Sequence, residues 1–402
     1  MEESPVPSSH PLPGPGALSP VANWLPPIVA GFVTVLIGFS SSVAIIFQAA
    51  QAAGADSAII GSWLLAFCVG LALTCIGLSW RYRMPIVTAW STPGAALLAT
   101  SLAGVSLDQA VGAFLFCGLL ITLAGVTGWF ERVIGRIPVA LASALLAGIL
   151  TRFALDAVLA ARTQPWLVGA MFASYLVARL WLARYAVPIM LIVGLALAAA
   201  MGLIDGSKLA LAPAVPHLVW PSFSWPVLIG VGIPLFVVTM ASQNVPGVAV
   251  LRASGYEPPI SAVTTSTGVM TLLLAPFGAF AINLAAITAA ICAGPHAHPD
   301  PGRRWIAGVF AGLFYLIVGF FGASVAMLLS ALPPELVVAL AGIALLATIA
   351  TGLAQACADP NWREAAVVAF LVTLSGVSFF GIGSAFWGLM AGVVTAWLRP
   401  RS

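Results

Sequence analysis

From Leu25 to its C-terminus the sequence is a succession of long apolar runs separated by short polar or Pro/Gly-rich breaks. Runs of this length are typical of helices that cross a bilayer, whereas a β-barrel shows shorter segments of alternating polarity. The composition agrees, because 61% of the 402 residues are hydrophobic, 7% are charged and the mean hydropathy is +1.09. The sequence therefore predicts an all-α polytopic membrane protein and excludes a soluble globular one.

The breaks divide the apolar runs into about fourteen predicted transmembrane segments. They cover residues 26–50, 57–79, 85–103, 108–130, 137–155, 165–182, 186–204, 226–251, 259–275, 278–294, 304–329, 333–354, 363–380 and 382–398. If the N-terminus is cytoplasmic, twelve of the fifteen basic residues fall on the cytoplasmic side, and only Arg152, Arg162 and Lys208 do not. Because Lys and Arg favour that side, both termini are expected in the cytoplasm.

Residues 1–24 differ from the rest of the chain. They are rich in Pro, Ser and Gly and contain no Lys or Arg. A segment of this composition cannot bury enough apolar surface to fold, and without basic residues it does not resemble a signal peptide. It is predicted to be a disordered cytoplasmic tail.

One predicted segment is interrupted. In Met84–Thr100, MPIVTAWSTPGAALLAT, an extended run over Pro85–Ser91 leads into Thr92-Pro93-Gly94 and a short apolar helix. Ser or Thr before Pro is a helix-start signal, and a helix that starts inside the bilayer leaves N–H groups free to face a cavity or a ligand. The alternative is an ordinary membrane helix with a proline kink.

The two halves of the chain show a weak internal similarity, which composition alone could also produce. Ser41–Asp56 aligns without gaps on Ser242–Glu257, and the extended run after Met84 aligns on Pro276–Asn283, with Asn283 in the helix-start place of Thr92. A repeat of seven segments must be inverted, and paired interrupted segments indicate the binding site of a secondary transporter. We therefore expect two inverted seven-segment repeats, with extended stretches in segments 3 and 10 that pair with each other.

This arrangement predicts a polar but uncharged substrate site near the middle of the membrane. The candidate substrate-binding residues are Ser41, Ser42, Ser91, Thr92, Gly94, Gln243, Asn244 and Asn283. Polar side chains at that depth are costly unless they bind a partner or a ligand, although serines also form hydrogen bonds between helices. Because no acidic or basic residue is predicted nearby, the site suits a small monoanion.

Several other functions are disfavoured. The sequence contains no Walker A, HExxH or GxSxG motif, so neither ATP hydrolysis nor a membrane enzyme is expected. The five cysteines are isolated in apolar surroundings, and His296 and His298 have no third ligand cluster, so no metal or other cofactor is predicted. The sequence does not separate a carrier from an anion channel.

Three stretches resemble those of the benzoate/proton symporter (BenE) family. They are MPIVTAWSTPGAALL, VTMASQNVPGVAVLRASGY and NLAAITAAICAGPHAHPDPGRRW, and the similarity extends from Trp24 over nearly the whole chain. That family is related to the uracil permease and sulfate-carrier fold. The resemblance implies that residues 25–402 form one transporter domain, with a core (about 25–130 and 226–329) that moves against a gate (about 131–225 and 330–398).

The resemblance also implies a function and its partners. Uracil permeases carry acidic residues where this chain has Gln243 and Ile282-Asn283, and this departure fits a substrate that brings its own negative charge. We expect proton-coupled import of benzoate or a similar aromatic carboxylate across a bacterial inner membrane, in contact with lipids and without nucleic acid, and related carriers suggest a homodimer. The alternative is a nucleobase or small inorganic anion carrier. The proton moves either through His296 and His298 or together with the carboxylate.

Overall fold

The computed structural model describes residues 20–133, 139–285, 288–377, 379–380 and 384–398. Most of the predicted tail, residues 1–19, lies outside these ranges. The first helix begins at Pro20, so residues 20–24 are helical and do not belong to a disordered tail. Their Pro-containing sequence suggested disorder, but Pro is well tolerated in the first turn of a helix.

The first half of the described chain contains eight α-helices and one strand. Their bounds are α1 Pro20–Ala52, α2 Ser57–Tyr82, β1 Thr88–Trp90, α3 Thr92–Ser101, α4 Leu107–Val126, α5 Trp129–Val133, α6 Val139–Ala160, α7 Pro165–Trp181 and α8 Ala186–Ala200.

The second half opens with one continuous helical segment in which α-helical and π-helical turns alternate. It consists of α9 Trp225–Val227, a first π turn Leu228–Gly232, α10 Ile233–Thr239, a second π turn Met240–Asn244 and α11 Val245–Ala253. The remaining elements are α12 Ile260–Leu274, β2 Ile282–Leu284, α13 Ala289–Ala293, α14 Trp305–Phe320, α15 Gly322–Ala331, α16 Pro334–Ala344, α17 Leu346–Ala356, α18 Arg363–Ser375 and α19 Ser384–Leu398.

Eight helices within the described ranges are long and apolar enough to cross a membrane. They are Trp24–Ala52, Ser57–Tyr82, Leu107–Val126, Val139–Ala160, Trp225–Arg252, Ile260–Phe277, Pro301–Phe320 and Pro334–Ala356. Shorter apolar helices accompany them, α8, α15 and α19 among them. The prediction of a polytopic helical membrane protein is confirmed.

The two predicted extended stretches pair with each other, as expected. Strands β1 and β2 form a two-stranded antiparallel sheet in the register Thr88 with Leu284, Ala89 with Asn283 and Trp90 with Ile282. The Ala285 amide continues the ladder by donating to the Val87 carbonyl at 2.9 Å. Backbone groups that lipid could not satisfy are thus paired inside the protein.

Side chains from neighbouring helices complete the hydrogen bonding of β2. Thr271 Oγ1 on α12 accepts from the Ile282 amide at 3.0 Å. Asn244 Oδ1 in the second π turn accepts from the Leu284 amide at 2.9 Å. These bonds satisfy the edge of a strand that would otherwise carry unpaired buried donors.

The first half-helix begins where the sequence predicted, but the second does not. Ser91 is the N-cap of α3, and Pro93 lies in its first turn. Asn283, by contrast, lies within β2, and α13 begins only at Ala289 after Thr288. The prediction that Asn283 caps the second half-helix is therefore wrong, because the strand extends past it through the pairing with β1.

Glycines allow two pairs of long helices to approach closely. An ideal Cβ on Gly312 of α14 would lie 2.9 Å from the Ala72 carbonyl oxygen of α2. An ideal Cβ on Gly268 of α12 would lie 2.5 Å from the Thr122 nitrogen of α4. Small residues at these contacts bring helix backbones together, which is a main source of packing energy between membrane helices.

Candidate functional site

A cavity of about 340 Å³ lies between two groups of helices. We call the side formed by α1, β1, α3, the second π turn, α11 and α14 the first wall, and the side formed by α6, α16 and α17 the second wall. The first wall contributes Gly38, Ser41, Ser42, Ala89, Trp90, Thr92, Pro93, Ala241, Ser242, Gln243, Val245, Pro246, Ala285, Thr288 and Tyr315. The second wall contributes Val139, Ala142, Ser143, Leu146, Leu150, Ala344, Leu345, Ala347, Thr348, Thr351, Gly352 and Gln355.

Four of the eight predicted site residues line this cavity. They are Ser41, Ser42, Thr92 and Gln243. The other four are packed behind it or within the sheet, and they are Ser91, Gly94, Asn244 and Asn283. The structure therefore brings polar groups from α1, α3 and the second π turn to one cavity.

Ser91 and Gly94 shape the start of α3. Ser91 Oγ accepts from the Gly94 amide at 3.0 Å and from Thr239 Oγ1 at 2.8 Å. An ideal Cβ on Gly94 would lie 2.6 Å from Leu235 Cδ1 and 2.9 Å from Ser91 Cβ, so a side chain at this position would force its neighbours to shift. Both residues fix the half-helix in place rather than face the cavity, because the N-cap turns inward onto its own helix.

Asn244 and Asn283 belong to the sheet. Asn244 Nδ2 contacts Met240 Sδ at 3.0 Å, and its oxygen is used by β2. Asn283 is fully buried, and its Nδ2 donates to the Ala281 carbonyl at 2.9 Å. Asn283 Oδ1 has no hydrogen-bond partner within the described residues. Neither amide lines the cavity, because Asn244 in the second π turn is bonded to β2 and Asn283 lies within that strand.

The serine hydroxyls that line the cavity are already engaged. Ser41 Oγ donates to the Gly38 carbonyl at 3.1 Å, and Ser42 Oγ donates to the same oxygen at 2.8 Å. Trp90 Nε1 in turn donates to Ser42 Oγ at 2.7 Å. Such bonds to the preceding turn are common for Ser in helices, and they leave these hydroxyls with lone pairs rather than protons to offer.

Thr92 and Gln243 are the predicted residues with free donors. Both line the cavity, and neither side chain forms a hydrogen bond within the part of the chain that the structure describes. Gln243 lies in the second π turn, and π turns of this kind are frequent at functional sites. A hydroxyl and an amide group can therefore donate to an anion in the cavity.

Aromatic rings close one end of the first wall. Trp90 is 3% exposed, and its ring packs edge-on against Phe39 and Phe67, each with centroids 5.6 Å apart. The next ring along the wall is that of Tyr315, at 6.3 Å. This arrangement can enclose an aromatic body as well as an aliphatic one.

Sequence reasoning missed the residues of the second wall. Ser143 Oγ of α6 donates to Gln355 Oε1 of α17 at 3.0 Å. Thr348, Thr351 and Gln355 all face the cavity from α17. Their spacing of three and four residues places them on one helical face, and this periodicity in an otherwise apolar run was the available signal. Tyr315 gave no comparable signal.

The cavity is electrically neutral in its side chains. None of the described residues that line it is acidic, basic or histidine. His298 is buried elsewhere, where its Nδ1 accepts from the Asp300 amide at 3.0 Å and its carbonyl accepts from Arg304 Nε at 2.8 Å. Arg304 Nη1 also donates to the Ala293 carbonyl at the end of α13, so this histidine belongs to a capped turn.

The comparisons with known proteins agree on one family. The family model "BenE: Benzoate membrane transport protein" matches residues 22–398. The chain belongs to the benzoate membrane transport family. Within it, the chain is 47% identical to "Inner membrane protein YdcO" of Escherichia coli (strain K12), over 92% of this chain and 94% of that one. It is 39% identical to the "Benzoate membrane transport protein" of Acinetobacter baylyi, over 94% and 97% of the two chains.

Solved structures show the fold of this family member. SLC26A9 matches with a TM-score of 0.63 and 15% identity, over 94% of this chain and 67% of that chain. The transmembrane domain of the cyanobacterial bicarbonate transporter BicA matches with a TM-score of 0.59 and 13% identity, over 92% and 97%. This benzoate-family protein is therefore a multi-pass membrane transporter, not an enzyme, with an SLC26/BicA-like fold.

Proposed function

We propose that the protein is a secondary transporter that imports benzoate or a similar small aromatic carboxylate with protons by alternating access. The observation that carries this proposal is the neutral cavity, where free donors on Thr92 and Gln243 lie on the same wall as the Trp90 ring. A carboxylate requires donors, and an aromatic ring requires an apolar surface of matching shape.

The lack of charged side chains among the described residues of the cavity also bears on the proton. A lone charge in an apolar site is costly, so uncharged donors must meet the carboxylate in the cavity, and a proton taken up with it offsets its charge during transport. His298 is engaged in the turn after α13 and does not line the cavity. We therefore favour proton entry together with the substrate over a relay through His296 and His298.

Alternating access requires two bodies, and the two walls correspond to them. The first wall comes from the proposed core, residues 25–130 and 226–329, and the second wall comes from the proposed gate, residues 131–225 and 330–398. Val139 at the start of α6 and Gln355 near the end of α17 line the cavity. These helix ends adjoin Arg132 and Arg363 in the sequence, which supports a cavity open to the cytoplasm.

The fourteen-segment inverted repeat belongs to the same proposal. The antiparallel pairing of β1 with β2 is the arrangement expected if a twofold axis relates the two interrupted segments. Helix α2 packs closely on α14, and α4 packs closely on α12. In each pair, the second segment of one proposed repeat contacts the fourth segment of the other. Such reciprocal pairs are expected when two repeats pack face to face.

The proposed orientation can be tested with the native cysteines. Cys68, Cys75, Cys117 and Cys292 are buried, whereas Cys357 after α17 is exposed. A membrane-impermeant maleimide should label the protein in inside-out vesicles and not in intact cells, and Cys357→Ser should remove this labelling. Equal labelling from outside would place the end of α17 on the other side of the membrane.

Uptake of radiolabelled benzoate into proteoliposomes tests the function. We expect saturable accumulation that increases with an inward proton gradient, after subtraction of the passive entry measured in protein-free liposomes. Competition by uracil and by bicarbonate tests whether the protein also binds the substrates of transporters with related folds. Counterflow separates a carrier from a channel. Protein-dependent uptake of bicarbonate or uracil without benzoate uptake would contradict the proposal.

A further inference from the structure

The hydroxyl group of Tyr315 has no hydrogen-bond partner within the described ranges. The side chain is 1% exposed and lines the cavity from α14. An ideal Cβ on Gly38 would lie 3.5 Å from Tyr315 Oη and 3.4 Å from Thr288 Cγ2. The hydroxyl therefore lies beside α1 and the residue that precedes α13. Within the described residues this hydroxyl is not one of the polar atoms that are both completely shielded from solvent and unpaired, so it is open to the cavity and available to a ligand.

Packing alone does not explain this hydroxyl. Tyr175 on α7 is also buried, at 3% exposed, but its hydroxyl accepts a hydrogen bond from Arg179 at 3.3 Å. A tyrosine that only filled space beside Trp90 could be replaced by phenylalanine without leaving a polar group unpaired. The hydroxyl of Tyr315 instead reaches the same cavity as the free groups of Thr92 and Gln243.

Several donors near the cavity are already engaged. Ser41 and Ser42 donate to the Gly38 carbonyl. The Gly94 and Ala95 amides in the first turn of α3 are taken by Ser91, the first by its side chain and the second by its carbonyl at 2.7 Å. A carboxylate has about four lone-pair sites, so a donor on α14 adds to those of Thr92 and Gln243 on the first wall.

We infer that the Tyr315 hydroxyl donates a hydrogen bond to the carboxylate of the transported substrate and favours aromatic carboxylates over uncharged analogues. This inference rests on the proposed function. A phenol is an uncharged donor at neutral pH, so it adds no permanent charge to the cavity, and its bond to an anion is stronger than its bond to a neutral group. The ring beside Trp90 supplies apolar surface at the same position.

Benzoate binding to purified Tyr315→Phe protein tests this inference. Removal of one hydrogen bond to a charged group lowers affinity by about 10- to 100-fold. We therefore expect the dissociation constant and the transport KM to rise by that factor, with little change in the maximal rate. In Tyr315→Phe, the affinity for benzamide, measured by competition, should fall less than the affinity for benzoate. Tyr175→Phe, a second buried tyrosine outside the cavity, is the matched control and should bind as the wild type does.

A second variant covers the case in which Tyr315→Phe folds poorly. In Gly38→Ala the added methyl group makes ordinary contacts near 3.5 Å and covers the Tyr315 hydroxyl without a clash. It should raise the dissociation constant for benzoate, whereas Gly77→Ala, whose Cβ would meet nothing within 4 Å, should not. Wild-type affinity in folded Tyr315→Phe, or in Gly38→Ala if the first variant does not fold, overturns the inference and leaves the proposed function intact. Failure of the wild type to bind benzoate overturns both.

Discussion

Gln243→Glu is expected to reduce benzoate uptake at neutral pH by about 100-fold or more. Gln243 lines a cavity in which none of the described lining side chains is charged. Two like charges about 5 Å apart at an effective dielectric constant near 20 repel by roughly 3 kcal/mol, which corresponds to a factor above 100. The substitution changes the shape of the side chain very little, so charge is the variable that is tested.

Uptake by Gln243→Glu is measured in proteoliposomes beside two comparison variants. Gln243→Met removes the amide without adding charge and should cost about tenfold, the usual effect of one lost hydrogen bond to a charged group. Gln51→Glu places the same carboxylate at the exposed end of α1, outside the cavity, and should leave uptake unchanged. Burial raises the pKa of a carboxyl group, so uptake by Gln243→Glu should partly recover as the pH falls and the side chain becomes neutral. Wild-type uptake by Gln243→Glu at neutral pH would show that the substrate carboxylate does not approach this residue.

Gly278→Ala is expected to destabilise the protein by at least about 3 kcal/mol. Gly278 follows the short helical turn Ala275–Phe277 and has φ of 101°, which L side chains rarely adopt. An ideal Cβ there would lie 1.8 Å from Trp63 Cδ1. Trp63 cannot move aside easily, because it is 1% exposed and packs on Phe114 and Phe280. The substitution should displace residues 279–281, which lead from Gly278 into β2.

Gly54→Ala is the matched control for this prediction. Gly54 has φ of 80°, but nothing lies within 4 Å of its ideal Cβ. Gly54→Ala should reduce the free energy of unfolding only by the cost of a positive φ in alanine, about 1 kcal/mol. The measurement is the thermal unfolding midpoint in detergent, together with the amount of folded protein in the membrane. Equal midpoints for the two variants would show that the Trp63 contact is not rigid.

The interrupted segment shows how far local sequence signals extend. Ser91 before Thr92-Pro93 predicted the start of α3, because capping and the fixed φ of proline act within a few residues. The second interrupted segment lacks a proline at the helix start, and its cap is predicted at Asn283 only from the alignment with Thr92 and the capping preference of Asn. Pairing with β1 instead keeps Asn283 in a strand, and that pairing joins residues far apart in the chain.

For a similar reason, some predicted site residues line the cavity and others are packed behind it. A membrane helix is apolar on every side, so the sequence carries little information about which face meets a cavity. Asn244 and Gln243 are adjacent in the second π turn, yet one bonds β2 and the other lines the cavity. Ser42 lines the cavity but donates to its own helix.

The class of the protein and the start of its first half-helix could be predicted from local residues, because hydrophobicity and helix capping depend on nearby residues. Its resemblance to the BenE family indicated the family, which the comparisons confirmed. The polar groups that still carry a free donor could be identified only from the packed helices, which also place Tyr315 and the Ser143–Gln355 pair at the cavity. Whether a hydroxyl donates to its own helix or faces a ligand depends on the rotation and packing of helices, which are settled by contacts between distant parts of the chain.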